Sequence, residues 1–310
     1  MKSSNPHPAT VGNLEPVCEA GPSDKYPEDS VHWGYEDLNP SDSSSSCMTT
    51  KELQQYWRAE KQRLRPIKLL FEIPLARTVD QTLTKYVVYQ IVVIRSGSYD
   101  SQRVSVERRY SDFARFHHQL LQDFNEELED VKLPRKFLTG NFNPDCILER
   151  RLALQDYLGQ LYAIRCVRQC RQFLDFFTEP EQRRAYGLLR AGQFQMALEL
   201  LHVVLDLQEK LAQWYNPVQL VPTQCALAVC HRDLDEQVIA FAMGQRALPA
   251  VRRYGIRRYR GPLLAMLVDL GYQLGRPVAQ LQEELTQVKD AERGQVSFRS
   301  LKEVVVQEFI

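Results

Sequence analysis

Arg108-Arg109-Tyr110-Ser111-Asp112-Phe113 joins a stretch that alternates like a strand to one spaced like a helix. Before it, Val104 and Val106 alternate with polar neighbours, the period of a half-buried strand. After it, Phe113, Phe116, Leu120, Leu121 and Phe124 recur every three to four residues, which makes one helix face aromatic, with Ser111 the expected N-cap. Two guanidinium groups, a phenol and a hydroxyl therefore meet at a helix start, whose free N–H groups and positive dipole end favour a phosphate. Arg109 is suited to a forked, charge-assisted bond to such a group. Tyr110 is suited to stacking on a flat ring, and Ser111 to one further phosphate bond.

Working outward, Ile67 to Ile73 reads as an apolar strand ended by Pro74, and Tyr86 to Ile94 as a β-branched and aromatic strand followed by the turn Ser96-Gly97-Ser98. With Arg103 to Tyr110 these make a three-stranded antiparallel meander. One such sheet cannot bury itself, so helices must cover it. Beyond Asn143-Pro144-Asp145 a second helix is expected through Leu148, Leu152, Leu158 and Leu161, and a third over Val167 to Phe177. Glu179-Pro180 reads as a domain boundary.

Residues 181–310 lose all strand character and repeat helix, short break, helix. The first pair breaks at Gly192, the second lies around Cys225 to Arg246 and ends before Pro249, and the third flanks Gly271 to Pro277. Ala191, Ala197, Ala226, Ala228, Ala240 and Ala242 recur where helices would pack closely. The pattern is similar to a degenerate tetratricopeptide-like hairpin array with a concave surface for protein segments; an ordinary helical bundle is the other reading. Val304 to Ile310 are apolar enough to dock as a strand or a helix. The fold class is α+β for the first domain and all-α for the second.

Composition is that of a soluble globular chain, 44% hydrophobic and 25% charged. No segment approaches the run of about eighteen apolar residues needed to cross a bilayer, and Met1 to Thr10 lacks the apolar core of a secretory signal. The expectation is a cytoplasmic protein with peripheral membrane contact. The zero net charge hides an asymmetry. Residues 1–50 hold eight Asp or Glu against two Lys or Arg, leaving the remainder about +6, which suits an anionic partner. This tail is rich in Ser and Pro and reads as disordered. Within it, Trp33, Tyr35 and Leu38 form either a docking motif or part of a solvated tail. Residues 51–65 place Leu53, Trp57 and Leu64 among five basic residues, a short amphipathic helix for membrane or for packing on its neighbour.

The seven cysteines are an odd count without a C-x-x-C pair, which argues against a disulfide framework. Cys166 and Cys170 share a helix face, but buried cysteines commonly serve as small hydrophobes, so no metal and no cofactor are expected. No phosphate-binding glycine loop, dinucleotide fingerprint or H-E-x-x-H pair is present. His117 and His118 on the aromatic helix, and His202 and His231, read as structural. The chain is expected not to be an enzyme. Arg252-Arg253-Tyr254-Gly255-Ile256-Arg257-Arg258-Tyr259-Arg260 interleaves arginine with tyrosine, as single-stranded nucleic-acid binders do. In a neutral chain it reads rather as an anionic-lipid contact or a solvated loop, and no nucleic acid is expected.

Lys136 follows Leu133-Pro134-Arg135 in a loop, and Arg150 and Arg151 open the next helix, so separated segments are able to converge on one basic pocket. R-R-Y-S-D-F, then P-x-K, then E-R-R before an apolar helix resembles the phox-homology (PX) domain of the sorting nexin family over about residues 66–180. The resemblance implies that Arg109 contacts the 3-phosphate of phosphatidylinositol 3-phosphate and that Tyr110 stacks beneath the inositol. It implies that Ser111 adds a phosphate contact, that Lys136 lies near the 1-phosphate and that Arg150 holds the 4- and 5-hydroxyls, while Arg108 supports the fold. One departure is Val131, where the family carries the first of two prolines before its lysine. Phe137, Leu138 and Phe142 then either insert into a membrane or pack beneath the loop. An acidic tail, this domain and a helical array together look like a small subgroup of the family. That implies an early-endosome adaptor whose array holds the cytoplasmic tail of a membrane cargo, a selectin ligand being one candidate. A protein-interaction scaffold with a non-functional lipid pocket is the alternative.

Overall fold

The computed structural model describes residues 69–81, 84–96, 100, 103–136, 140–211, 217–291 and 299–309, together with Thr50 and Gln54, both helical. The acidic tail, nearly all of the expected helix at 51–65, and Phe137 and Leu138 lie outside the described residues. The chain divides into units 1–61 and 62–310; the sheet and the helices that follow it belong to the second.

β1 (Leu69–Gln81), β2 (Thr84–Arg95) and β3 (Val104–Arg109) form an antiparallel sheet in the order β1-β2-β3. β1 does not end at Pro74. It continues through a bulge between Glu72 and Leu75, where an edge strand tolerates proline. The groups the bulge takes from the ladder are used by the second of two helices that follow, α1 (Tyr110–Asp123) and α2 (Pro144–Ala163). Gln155 of α2 accepts from Ile73 N at 2.9 Å, and Arg151 Nη1 donates to the carbonyls of Ile73 and Pro74 at 2.6 and 3.2 Å.

Helix α1 buries Phe113, Phe116 and Leu120 as its spacing dictates. Its N-cap is Arg109, not Ser111: Arg109 keeps extended backbone, and its N–H donates to Asp112 Oδ2 at 2.8 Å. In α2 the buried stripe is Arg150, Leu154, Tyr157, Leu158 and Leu161. Leu148 and Leu152, expected inside, are exposed, because the inward stripe passes through the cation Arg150. The third expected helix is two, α3 (Arg165–Gln169) and α4 (Arg171–Arg190), parted at Cys170. Aromatic rings fill the core beneath the sheet. Phe116 stacks on Phe176 with centroids 4.4 Å apart, and Phe71 on Phe177 at 5.4 Å; such pairs add about 0.5–1.5 kcal/mol each beyond burial.

Helix α4 runs straight through Pro180, where a boundary was expected, and α5 (Phe194–Leu211) continues the packing. Leu207 and Leu211 of α5 join the core under the sheet. Lys210 is buried and donates to Val93 O at 3.0 Å and to Asp100 Oδ2 at 2.6 Å. Arg95 of β2 donates to Glu209 O at 3.1 Å. The end of α5 therefore packs into the core under the sheet, while the rest of the array keeps a core of its own.

After a 3-10 turn (Pro217–Leu220), α6 (Val221–Asp233), α7 (Gln237–Arg253), α8 (Arg257–Gln273) and α9 (Ala279–Ala291) each pack on the next. α7 extends past Pro249 to Arg253. Four turns share one hydrogen-bond pattern, in which a residue at positive φ donates three back and the next residue donates five back. They are centred on Gly192, Asp235, Gly255 and Gly275, and each is a Schellman C-cap. Ala197, Ala226, Ala228 and Ala240 are buried where helices cross; Ala191 and Ala242 are exposed. α10 (Leu301–Val306) buries Leu301, Val304 and Val305 against α4, α6 and α8, which resolves the docked C-terminus as a helix.

Candidate functional site

At the junction of β3 and α1, alternate residues of the strand have opposite fates. Arg108 points inward, 2% exposed, and its guanidinium donates to the carbonyls of Phe176 (2.7 Å), Phe177 (2.9 Å) and Glu107 (2.7 Å) and to Glu181 Oε2 at 2.6 Å. It is a structural residue. Arg109 points outward and is exposed. Its guanidinium lies 3.3 Å from the centre of the Tyr86 ring. Tyr86 stands diagonally across the ladder, since Arg109 pairs with Val88, and long side chains reach such diagonal neighbours.

Tyr110 begins α1 half-buried, and its hydroxyl donates to Pro134 O at 2.6 Å. That bond ties the helix start to the loop bearing Lys136, two residues farther on and exposed. Val131, at the departure from the family pattern, is buried at the root of this loop, with its N–H donating to Leu128 O at 3.0 Å. Ser111 is exposed in the first turn of α1.

Arg150 is 4% exposed. Its guanidinium lies 5.2 Å from the centre of the Tyr110 ring and donates to Asn141 Oδ1 at 2.9 Å. Burial pushes the Tyr110 hydroxyl up in pKa, against the positive charge of Arg150. The buried Tyr89 hydroxyl is likewise raised by burial, with Arg150 acting in the other direction. Arg150 is thus a buried cation beside the Tyr110 ring, while Arg109 and Lys136 are exposed on the segments that flank Tyr110 and follow Pro134. Phe142 is 44% exposed beneath Lys85, whose Nζ lies 5.2 Å from the ring centre.

Tyr110 and Arg150 are brought together directly, and Arg109 adjoins Tyr110 in sequence with its guanidinium on Tyr86. Lys136 is joined to them through the Tyr110–Pro134 bond, and Ser111 lies one residue from Tyr110 without a bond to the others among the described residues. Tyr86, Tyr89 and Asn141 were not anticipated. Register would have found Tyr86, because it lies two residues along β2 from the partner of Arg109.

Two of the histidines expected to be structural have internal partners. His117 Nδ1 shares a hydrogen bond with Tyr157 OH at 2.9 Å while His118 is exposed, and His231 Nδ1 pairs with Glu236 Oε2 at 2.5 Å. Three of the five arginines of the basic run are engaged internally. Arg252 and Arg260 both hold Glu284, at 2.6 and 2.9 Å, and Arg258 holds Glu308 at 2.9 Å. Among the described residues no group of three or more His, Cys, Asp or Glu is arranged to hold a metal ion.

Residues 97–180 match the family described as PX domain. "Sorting nexin-20" of Bos taurus is 47% identical over 99% of this chain and 99% of its own length. "Sorting nexin-20" of Rattus norvegicus is 48% identical over 89% of this chain and 88% of its own. "Sorting nexin-21" of Mus musculus is 33% identical over 87% and 75% respectively. The aligned length runs from the sheet through the helical array, so the likeness extends well beyond the arginine–tyrosine junction, and the chain belongs to the sorting nexin family.

Proposed function

We propose that the chain is a peripheral, non-enzymatic adaptor that binds phosphatidylinositol 3-phosphate on the cytoplasmic face of early endosomes and holds the cytoplasmic tail of a membrane cargo through its helical array. The observation that carries this reading is the placement of Arg150 5.2 Å from the Tyr110 ring, with the Tyr110 hydroxyl bonded to the loop of Lys136. An inositol ring laid on Tyr110 meets a buried guanidinium on one side and exposed cations on the other. In this reading Arg109 leaves Tyr86 for the 3-phosphate and Ser111 adds a hydroxyl at the helix start. Lys136 meets the 1-phosphate and Arg150 the ring hydroxyls. The positive end of α1 favours the same anion.

No helix among the described residues is long and apolar enough to cross a membrane, and a peripheral contact accords with that. One headgroup gives modest affinity, so residence on an endosome draws on the pocket and the cargo together. A selectin ligand's tail remains a candidate cargo.

The second reading, a scaffold without lipid affinity, is favoured by one observation: Arg109 lies on Tyr86 and Arg150 bonds to Asn141, so both cations have internal partners. The test is the distribution of the tagged chain in cells, with Arg109→Ala beside it and a membrane-anchored cargo tail co-expressed. Loss of endosomal residence in a folded Arg109→Ala protein supports the lipid-directed adaptor. Undiminished residence that follows the tail alone supports the scaffold.

A further inference from the structure

The antiparallel packing of α7 on α8 follows from Gly244 lying against Leu263 and Leu267 and Phe241 against Gly271. The C-terminal end of α6, the N-terminal end of α7 and the C-terminal end of α8 therefore meet at one end of the array. There they enclose a cleft of about 330 Å³ lined by Arg232, Gln237, Met266, Asp269, Leu270 and Gln273. Met266 and Leu270 are almost fully buried and are the apolar part of a lining that is otherwise polar.

The charges in this cleft are not equivalent. Arg232 is committed, with Nη2 3.0 Å from Asp233 Oδ1, while the other oxygen of Asp233 takes Lys302. Asp269 is exposed and has neither a hydrogen bond nor an ion pair among the described residues. Asp235 and Glu236, both exposed, add acid at the adjoining turn. The cleft thus offers an available carboxylate beside two buried apolar side chains, flanked by two carboxamides, of which Gln237 spends one N–H on Asp235 Oδ1 at 3.3 Å and keeps its oxygen and second N–H.

We propose that this cleft takes an extended, cationic peptide segment: an arginine or lysine whose aliphatic stem lies on Met266 and Leu270 and whose head meets Asp269, with the peptide's main chain bonded by Gln237 and Gln273. Long basic side chains bury their stems and keep the charge at the rim. An acidic segment meets repulsion from Asp269 and finds Arg232 already held. The assignment rests on the array being the cargo-holding part, and it specifies that cargo chemically, since cytoplasmic segments beside membrane spans carry an excess of Lys and Arg.

The experiment is fluorescence anisotropy of the full chain with two fluorescein-labelled heptapeptides, one alternating leucine with arginine and the other leucine with glutamate. The arginine peptide is expected to bind and the glutamate peptide not to. Asp269→Asn is expected to weaken binding about 10-fold, the scale of one charge-assisted bond, and Asp269→Lys to abolish it, with unchanged circular dichroism and unchanged pelleting on liposomes. Equal binding by the wild-type chain and Asp269→Lys would overturn the cleft while leaving the adaptor reading standing, because the peptide would then sit elsewhere on the array. Preference for the glutamate peptide, or binding of neither, would also overturn it. The adaptor reading is judged separately, by recruitment of the chain to a membrane-anchored tail.

Discussion

Arg108 Nε donates at 2.7 Å to the carbonyl of Phe176, which α4 cannot satisfy itself because the residue four positions on is Pro180. Proline inside a helix removes that donor at a cost of about 3 kcal/mol. Here a strand arginine supplies it, and the same guanidinium reaches Phe177 O and the Glu181 carboxylate. The sheet thereby holds the helix that leads into the array.

Removing Arg108 should be severe. Arg108→Leu takes a donor from three carbonyls and a carboxylate, and breaking a buried pair of this kind costs about 3–5 kcal/mol. Adding Pro180→Ala should recover part of the loss by restoring a backbone donor to Phe176. Urea unfolding of the single and double variants checks this. A loss below about 1 kcal/mol for Arg108→Leu would contradict the role assigned here.

Ending the chain at residue 180 should not yield an independent domain. The cut falls inside α4 and removes Glu181, Leu207, Lys210 and Leu211, all of which serve the sheet's core. The expected outcome for residues 62–180 is a non-cooperative thermal transition and poor amide dispersion by NMR. A sharp transition near that of residues 62–310 would show that the array is dispensable for folding.

Much of this was legible in the residues themselves. The meander followed from β-branched runs, the aromatic face of α1 from its spacing, and the array from repeated breaks. Pro74 and Pro249 misled because each was read as a stop on local grounds, and at Pro180, read as a domain boundary, helix α4 runs on. At Pro74 and Pro180 the missing ladder or helix partner is supplied from far along the chain, by Gln155 and Arg151 in one case and Arg108 in the other. No local pattern carries such information. Arg150 misled the reading of α2 similarly, since an apolar stripe passing through a buried arginine cannot be told from one displaced onto Leu148 and Leu152.

The four Schellman turns differ in one residue. Asp235 adopts φ 64 where the other three have glycine, and an L side chain is disfavoured there. Asp235→Gly should therefore stabilise the chain by about 0.5–1 kcal/mol, whereas Gly275→Ala should destabilise it by about 1 kcal/mol. Denaturation midpoints measure both. Destabilisation by Asp235→Gly would mean that the carboxylate, which accepts from Gln237 Nε2 at 3.3 Å, matters more than the backbone.

Glu284 should give the array a dependence on acid. Burial raises its carboxyl, but hydrogen bonds and charge from Arg252 and Arg260 outweigh that and hold it below the usual range. With a folded pKa under the unfolded one, the contribution is complete above the ordinary glutamate value of about 4.3 and is lost as pH falls through the folded value. Glu284→Gln should thus lower stability at pH near 7 and make little difference near pH 3. A penalty that did not shrink on acidification would rule out this ion pair as its source.

Whether Arg109, Tyr110 and Arg150 bind a 3-phosphorylated inositol lipid, as proposed above, is decided by co-sedimentation of the full chain with liposomes across the phosphoinositides. Selective pelleting with phosphatidylinositol 3-phosphate is the expected result. So is a loss of at least about 10-fold in affinity for Arg109→Ala, the scale of one charge-assisted bond, with unchanged circular dichroism because that side chain is exposed. Pelleting with no phosphoinositide, or equal pelleting by the folded Arg109→Ala protein, would contradict the proposal.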